Sequence, residues 1–356
     1  MIKDRIAFLQ NELKDNEAAL ISSYANRLYY TGFSSSAGYV AVTKNGAWFL
    51  IDFRYFEKAK KTVESCEVIL SKAFTRQLGE ILSSQKIKTV YLETESVSLE
   101  SFSSLCRRLP DFEFSTDSKI QEIITKQRSI KTTDEIALIK KAQKMTDETF
   151  SYILSRIKPG RTELEVMLDM EFYMRNLGSE GVSFDFIVVS GKNSSLPHGV
   201  PTDKKIETGD FITMDFGAVC GGYRSDMTRT VAVGRVSEKQ REVYETVLKA
   251  QTETINYIKP GVICKEVDKT ARDIITAAGY GACFGHGLGH SVGIEIHENP
   301  ACNTVCDTVM QKGMIMTVEP GIYIENEFGV RIEDMVYLTD SGCTDITESE
   351  KKLIVL

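Results

Sequence analysis

A chain of 356 residues, 42 % hydrophobic and 26 % charged, has the composition of a soluble globular protein, and at ~150 residues per domain it divides into two. Its net charge of −7 excludes the basic stripe of a nucleic-acid binder, and no run approaches the ~20 apolar residues of a membrane span. The opening, Met1-Ile2-Lys3-Asp4-Arg5, leads into an amphipathic, acid-containing stretch without the apolar core or cleavage site of a secretory signal. Eight cysteines are scattered, mostly inside apolar runs such as Gly281-Ala282-Cys283-Phe284. We therefore expect a cytoplasmic protein with reduced, buried thiols.

The first ~120 residues alternate strand-like and helix-like stretches, the pattern of an α/β domain. Ala47 to Ile51 reads as a buried strand, followed by a charged helical stretch from Arg54 to Val63. Thr89 to Leu92 reads as another, followed by a helix from Leu99 to Leu109 that Pro110 ends. Gln127-Arg128-Ser129-Ile130-Lys131-Thr132 reads as a polar junction. Beyond it Thr133 can cap a long helix running from Asp134-Glu135 to about Ile157. This divides the chain into domains 1–124 and 125–356. The second carries an echo: Ile157-Lys158-Pro159-Gly160 before Glu165-Val166 returns as Ile258-Lys259-Pro260-Gly261 before Glu266-Val267, about a hundred positions on. We read two related α+β halves, an internal pseudo-two-fold repeat with a site between them.

Carboxylates interrupt the apolar strands of both halves. Phe211 to Ala218 contains Asp215, and a second strand runs from Tyr223 through Asp226 to Val233. With Cys220 and Gly221 at the centre of the turn, Asp215 pairs directly across from Asp226. Like charges there repel and pay desolvation unless a cation lies between them. Near the C-terminus, Met314 to Glu319 is apolar up to its carboxylate, and Ile322-Tyr323-Ile324 and Gly329 to Asp334 flank a turn centred near Asn326, which sets Glu319 roughly opposite Glu333. Arg331 shares a face with Glu333; a salt bridge alone accounts for only part of this pattern. Of the four histidines, three (His286, His290 and His297) fall in one Gly-rich segment, and His198 stands apart in Pro197-His198-Gly199. The glycines rule out a helix there, and on one regular strand His290 and His297 would point to opposite faces. The segment is a loop, a bulged strand or two elements. Cys302 and Cys306, four apart, lack a second pair for zinc, and we read them as structural. Four acids and an imidazole suit two Mn²⁺, Co²⁺, Fe²⁺ or Zn²⁺ ions about 3.5–4 Å apart, holding one hydroxide between them.

The motifs together resemble the creatinase-like metallopeptidases of the pita-bread fold, in the branch of Xaa-Pro aminopeptidases and prolidases. They are Pro197-His198-Gly199, Met214-Asp215-Phe216-Gly217, Ser225-Asp226-Met227-Thr228-Arg229-Thr230, Gly289-His290-Ser291-Val292-Gly293, Val318-Glu319-Pro320-Gly321 and Val330-Arg331-Ile332-Glu333-Asp334. They follow the family's order, and Asn26-Arg27-Leu28-Tyr29-Tyr30-Thr31-Gly32-Phe33 resembles its N-terminal domain. The resemblance implies an α/β N-terminal domain and an α+β pita-bread catalytic domain. It implies Asp215, Asp226, His290, Glu319 and Glu333 as metal ligands, with Asp226 and Glu333 bridging, Asp215 completing one ion, and His290 with Glu319 the other. Glu319 would also take the proton from water. His198 and His297 would hydrogen-bond the scissile peptide, and His286 and Arg331 would serve proton shuttling and orientation. Mn²⁺ is the expected metal, a proline-containing peptide the substrate, a homodimer the assembly. The leading expectation is an Xaa-Pro aminopeptidase. The alternative is a prolidase restricted to Xaa-Pro dipeptides, and a more distant one is a non-catalytic peptide-binding module of the same fold. Retention of all five ligand types argues against metal-free creatine hydrolysis.

Overall fold

A computed structural model describes residues 2–356, so Met1 of the amphipathic opening lies outside the described residues. Two compact units are present, one ending at Arg128 and one spanning Ser129–Leu356. The first is built on a six-stranded mixed sheet. Its strand order is Glu67–Leu70, Gly46–Ile51, Tyr39–Thr43, Glu17–Ile21, Thr89–Leu92 and Glu113–Ser115. Apolar runs such as Phe49-Leu50-Ile51 are fully buried, as strands covered on both faces require. Helices Phe53–Thr62 and Leu99–Arg108 follow the strands expected to precede them. The region read as a polar junction is instead partly helical: Lys119–Ser129 forms a helix. Ile120 and Ile124 lie four apart and are both buried, and this apolar spacing outweighs the polarity of Gln127 to Ser129.

The long helix of the second unit, Thr133–Leu154, begins one residue earlier than its acidic start suggests. Thr132, not Thr133, is the cap, because only Thr132 stands three residues before a glutamate. Its hydroxyl accepts from Glu135 N at 3.4 Å while Glu135 Oε2 accepts from Thr132 N at 2.8 Å, a capping box.

The sequence echo is an echo of hydrogen bonds. Gly160, Glu163 and Leu164 donate their N–H groups to the carbonyls of Ile206, Lys204 and Thr202 at 2.9, 3.1 and 3.1 Å. Gly261, Cys264 and Lys265 do the same to Met310, Thr308 and Cys306 at 2.9, 3.0 and 3.0 Å. Gly160 and Gly261 share φ values of 91° and 92°, a conformation glycine adopts without a Cβ penalty. Each half then carries a helix, Glu163–Asn176 or Cys264–Ala277, over its own apolar cluster. Val166, Met170, Val188 and Met214 pack in the first half, and Val267, Ala271, Met316 and Val336 in the second.

The strands of the first half are shorter than the hydrophobic pattern suggests. Phe211–Phe216 pairs with Met227–Ala232, and Tyr223–Arg224 with Val219–Cys220. The turn is Gly221-Gly222, at φ 58° and 78°, not Cys220-Gly221. Two positive φ angles make the primed hairpin turn that matches strand twist, and only this pair supplies two glycines. Asp215 consequently faces Thr228 rather than Asp226. The slip moves the partner by two positions, so Asp226 stays on the same face as a diagonal neighbour. In the second half, Ile315–Val318 pairs with Asp334–Leu338, and Gly321–Ile324 pairs with Phe328–Arg331. One continuous register about Asn326 runs through both pairs and sets Glu319 opposite Glu333, each in the gap between the ladders.

Candidate metal centre

Three of the four acids sit where a ladder is interrupted: Asp226 before Met227–Ala232, Glu319 after Ile315–Val318, and Glu333 before Asp334–Leu338. The backbone freed there ties the second half to the first and to the histidine segment. Glu333 N donates to Thr228 O at 3.1 Å, and Glu319 N donates to Leu288 O at 2.9 Å. Carboxylate oxygens of Asp215, Asp226 and Glu333 come within 4.8 Å of one another, at exposures of 9 %, 4 % and 1 %. Burial drives the carboxyl groups of Asp226 and Glu333 well above the usual carboxylate range, and the charges of the neighbouring acids push the same way. Glu319 is pushed up to about 8, again first by burial, with Arg331 opposing.

The hydrogen bonds leave these acids half-served. Arg331 Nη2 donates to Asp215 Oδ2 at 2.7 Å, and Asp215 Oδ1 has no partner. Thr228 Oγ1 donates to Glu333 Oε2 at 2.7 Å, and Glu333 Oε1 has no partner. Each carboxylate is therefore oriented through one oxygen and leaves the other buried and unsatisfied. An orphaned buried acceptor is costly; a divalent cation removes the cost and the mutual repulsion together. A hard, oxygen-rich donor set with one imidazole fits such a cation.

His290 completes the cluster. Its Nδ1 lies 3.1 Å from Ser291 O. A carbonyl only accepts, so Nδ1 carries the proton and Nε2 presents its lone pair 3.4 Å from Glu319 Oε1 and 3.6 Å from Asp226 Oδ2. Burial, with His297 nearby, lowers its pKa to about 4. A neutral nitrogen aimed at two carboxylates is the arrangement of a metal ligand with its second nitrogen held by a backbone carbonyl. The strand carrying it is bulged: the register of Gly289–Ser291 against Glu298–Cys302 slips between His290 and Ser291. His290 lies on the first strand and His297 at the end of the bend that precedes the second, so the segment is two elements and the parity of one strand does not apply; the rings of His290 and His297 meet with centroids 4.4 Å apart.

Residues 137–340 match the family model of Metallopeptidase family M24, and residues 5–130 match that of the Creatinase/Prolidase N-terminal domain. The chain belongs to metallopeptidase family M24. An Xaa-Pro dipeptidase of Pyrococcus furiosus is 38 % identical over 359 residues, covering 99 % of this chain and 100 % of the relative. The solved structure of an Xaa-Pro dipeptidase from Bacillus anthracis superposes with a TM-score of 0.96 at 41 % identity, with 100 % of each chain covered. That of an X-Pro aminopeptidase from Thermotoga maritima does so with a TM-score of 0.90 at 36 % identity, covering 98 % of this chain and 100 % of that one. This M24 chain is thus a hydrolase of the metal-dependent peptidase class, with the pita-bread fold in its catalytic part. No helix among the described residues is long and apolar enough to cross a membrane.

Two cavities meet at the acid cluster of this M24 chain. One, about 590 Å³, has an apolar wall that includes Met167, Phe184, Phe186 and Ile296. The other, about 400 Å³, is lined by His286, Tyr323, Arg331 and Asn303. His198, His290, His297, Asp215 and Glu319 border both. His198 rides on a loop pinned by Glu163, a fully buried carboxylate that accepts from Ser190 N at 2.6 Å, Ser190 Oγ at 2.9 Å, Thr202 N at 3.1 Å and Thr202 Oγ1 at 2.7 Å. His286 stands one layer back. Its Nδ1 lies 2.8 Å from Gly287 O, so Nε2 accepts from Tyr323 OH at 3.0 Å, and that hydroxyl accepts from Arg331 Nη1 at 2.7 Å. Burial lowers His286 to about 4 and raises Tyr323 to about 12. Thr228, Tyr323 and Glu163 carry this geometry, and sequence reasoning missed all three as site residues. Thr228 and Tyr323 lay inside segments already read, but nothing local marked their partners.

Proposed function

We propose that this chain is an Xaa-Pro dipeptidase, a prolidase, acting with two divalent ions, Mn²⁺ first among them and Co²⁺, Zn²⁺ or Fe²⁺ as alternatives. Asp226 and Glu333 would bridge the two ions, Asp215 complete one, and His290 with Glu319 the other. The observation that carries the metal assignment is the pair of buried, unpartnered oxygens, Asp215 Oδ1 and Glu333 Oε1, inside a cluster of acids. Divalent ions held there supply Lewis-acid chemistry and ease the ionisation of water near neutral pH.

The remaining chemistry falls to the side chains. Glu319, which borders both cavities, is placed to take a proton from water and to return it to the departing proline nitrogen. That nitrogen belongs to a tertiary amide with no N–H, so the leaving group must be recognised by shape and at its far end. The smaller cavity offers the Arg331 guanidinium for a carboxylate there. His198 and His297, at the border of both cavities, are placed to donate to the carbonyl oxygen as charge develops on it. His286 acts through Tyr323 in holding Arg331.

The dipeptidase reading is preferred over the aminopeptidase expected first because full-length relatives near 40 % identity carry the dipeptidase name; the Thermotoga maritima structure keeps the other alive. Eight free thiols support a reducing, cytoplasmic setting, and a homodimer is the assembly to be checked by light scattering. Chelation followed by metal add-back, with Xaa-Pro and Xaa-Pro-Yaa peptides compared, tests the proposal. We expect Mn²⁺-restored cleavage of the dipeptides and little of the tripeptides. Comparable kcat/KM on both would return the assignment to an aminopeptidase.

A further inference from the structure

His290 and His297 stand at the two ends of one arch. His290 faces Ala301 across the strand pair, whereas Ser291 faces Glu298, so Asn299 and Pro300 are left over in the bulge. Each histidine is followed by the residue that closes the arch, Ser291 after His290 and Glu298 after His297. Ser291 follows His290 on the extended strand Gly289–Ser291 and so turns to its opposite side, and Glu298 opens the partner strand across from Ser291.

Lys131 enters that far side. Its Nζ donates to Ser291 Oγ at 2.9 Å and to Glu298 Oε2 at 3.1 Å. The Lys131 side chain is 1 % exposed and that of Glu298 6 %. The lysine is itself anchored, because its backbone N–H donates to Gly313 O at 2.9 Å. The other oxygen of Glu298 accepts from Glu295 N at 3.2 Å. A Cβ on Gly293 would lie 2.5 Å from either oxygen of Glu298, so glycine is what lets the carboxylate tuck under the arch. Burying an ammonium and a carboxylate brings little net stability over an apolar pair of similar volume. Filling space does not explain the pair; fixing a geometry does. Lys131 borders neither cavity.

We propose that Lys131 is a positioning residue: its ammonium clamps Ser291 to Glu298 and so sets where His290 and His297 face the carboxylates. The inference rests on the roles given to those histidines above. Displacing a reacting group by ~1 Å can cost about a hundredfold in rate, and losing the support behind a ligating histidine costs about ten- to a hundredfold in metal affinity.

The test compares the full chain with Lys131→Met/Glu298→Gln and with Ser291→Ala. The double change removes both charges and leaves neither buried alone. Readouts are kcat and KM on an Xaa-Pro dipeptide, the melting temperature, and a Co²⁺ titration followed by visible absorption. The double variant should fold and keep its KM within about threefold, while kcat falls about tenfold or more and Co²⁺ binds about tenfold more weakly. Ser291→Ala, with one hydrogen bond fewer, should lose roughly threefold in kcat. Wild-type kcat and Co²⁺ affinity in the double variant overturn the clamp. Should the double variant not fold, an unchanged kcat and Co²⁺ titration in Ser291→Ala overturns it instead. A wild-type protein that cleaves no Xaa-Pro peptide defeats the dipeptidase reading, and the Co²⁺ comparison still decides the clamp.

Discussion

Thr228 is the hinge between the cation and the anions of the centre, and replacing it by valine isolates that role. Its hydroxyl donates to Glu333 Oε2 at 2.7 Å and accepts from Arg331 Nε at 3.0 Å. The residue is fully buried, so no water replaces a lost partner. Valine keeps the β-branched shape and removes only the polar atom. A hydrogen bond contributes ~0.5–1.5 kcal/mol between neutral groups and ~1.5–3 kcal/mol to a charged one; losing the bond to the Glu333 carboxyl, which keeps its proton in the metal-free fold, and the bond from charged Arg331 removes about 3 kcal/mol. At ~2–4 °C per kcal/mol for a unit of this size, the melting temperature should fall by about 6–12 °C. Glu333 freed from its orienting donor should also bind Mn²⁺ about ten- to a hundredfold more weakly. Differential scanning fluorimetry of the chelated protein and calorimetric Mn²⁺ titration measure the two effects. Thr228→Ser, which keeps the hydroxyl, should recover most of both. Serine and valine variants that behave alike, or a valine variant with wild-type Mn²⁺ affinity, would refute the reasoning.

Two further outcomes follow from the same geometry. Glu319 rises from 4.5 to about 8 in the metal-free fold, and Asp226 and Glu333 move the same way. The folded state therefore holds more protons than the unfolded chain, and this contribution is fully present below 4.5 and lost as pH rises through about 8. His290 and His286, lowered from 6.5 to about 4, act oppositely, costing stability as pH falls through that lower window. The chelated protein should thus lose melting temperature between pH 6.5 and 8.5, and Mn²⁺ should abolish the loss while releasing protons; a flat profile in chelator contradicts this. Within the histidine segment, Gly289→Ala should fail to bind metal or to fold, because its Cβ would lie 2.3 Å from Thr317 O, whereas Gly285→Ala meets nothing within 4 Å and should be silent. Metal content and circular dichroism of the pair check this contrast.

Much of the centre was legible because its acids interrupt apolar strands, where a carboxylate has no packing reason to be. The pairing of Glu319 with Glu333 could be read from one turn, since a single register about Asn326 serves both ladders. The pairing of Asp215 was misread because two candidate turns differ only in which glycines they use, and the demand for two positive φ angles at Gly221-Gly222 decides between them. Which of the three alternatives holds for the histidine segment was closed to sequence reasoning, since nothing in its Gly-rich run marks where Gly289–Ser291 ends and Glu298–Cys302 begins. Thr228 and Lys131 stayed hidden for a related cause: their partners lie far along the chain, Thr228 being 105 residues from Glu333 and Lys131 167 from Glu298. Local pattern reports which residues are out of place in a strand; it does not report what holds them.

The central claim is that Asp215, Asp226, His290, Glu319 and Glu333 together hold two divalent cations. Anomalous diffraction from crystals grown in Mn²⁺ tests it without reference to any substrate. Two peaks flanked by the carboxylates of Asp226 and Glu333, with one of them also touching His290 Nε2, are the predicted result. An empty map between those two carboxylates at saturating Mn²⁺ contradicts the account.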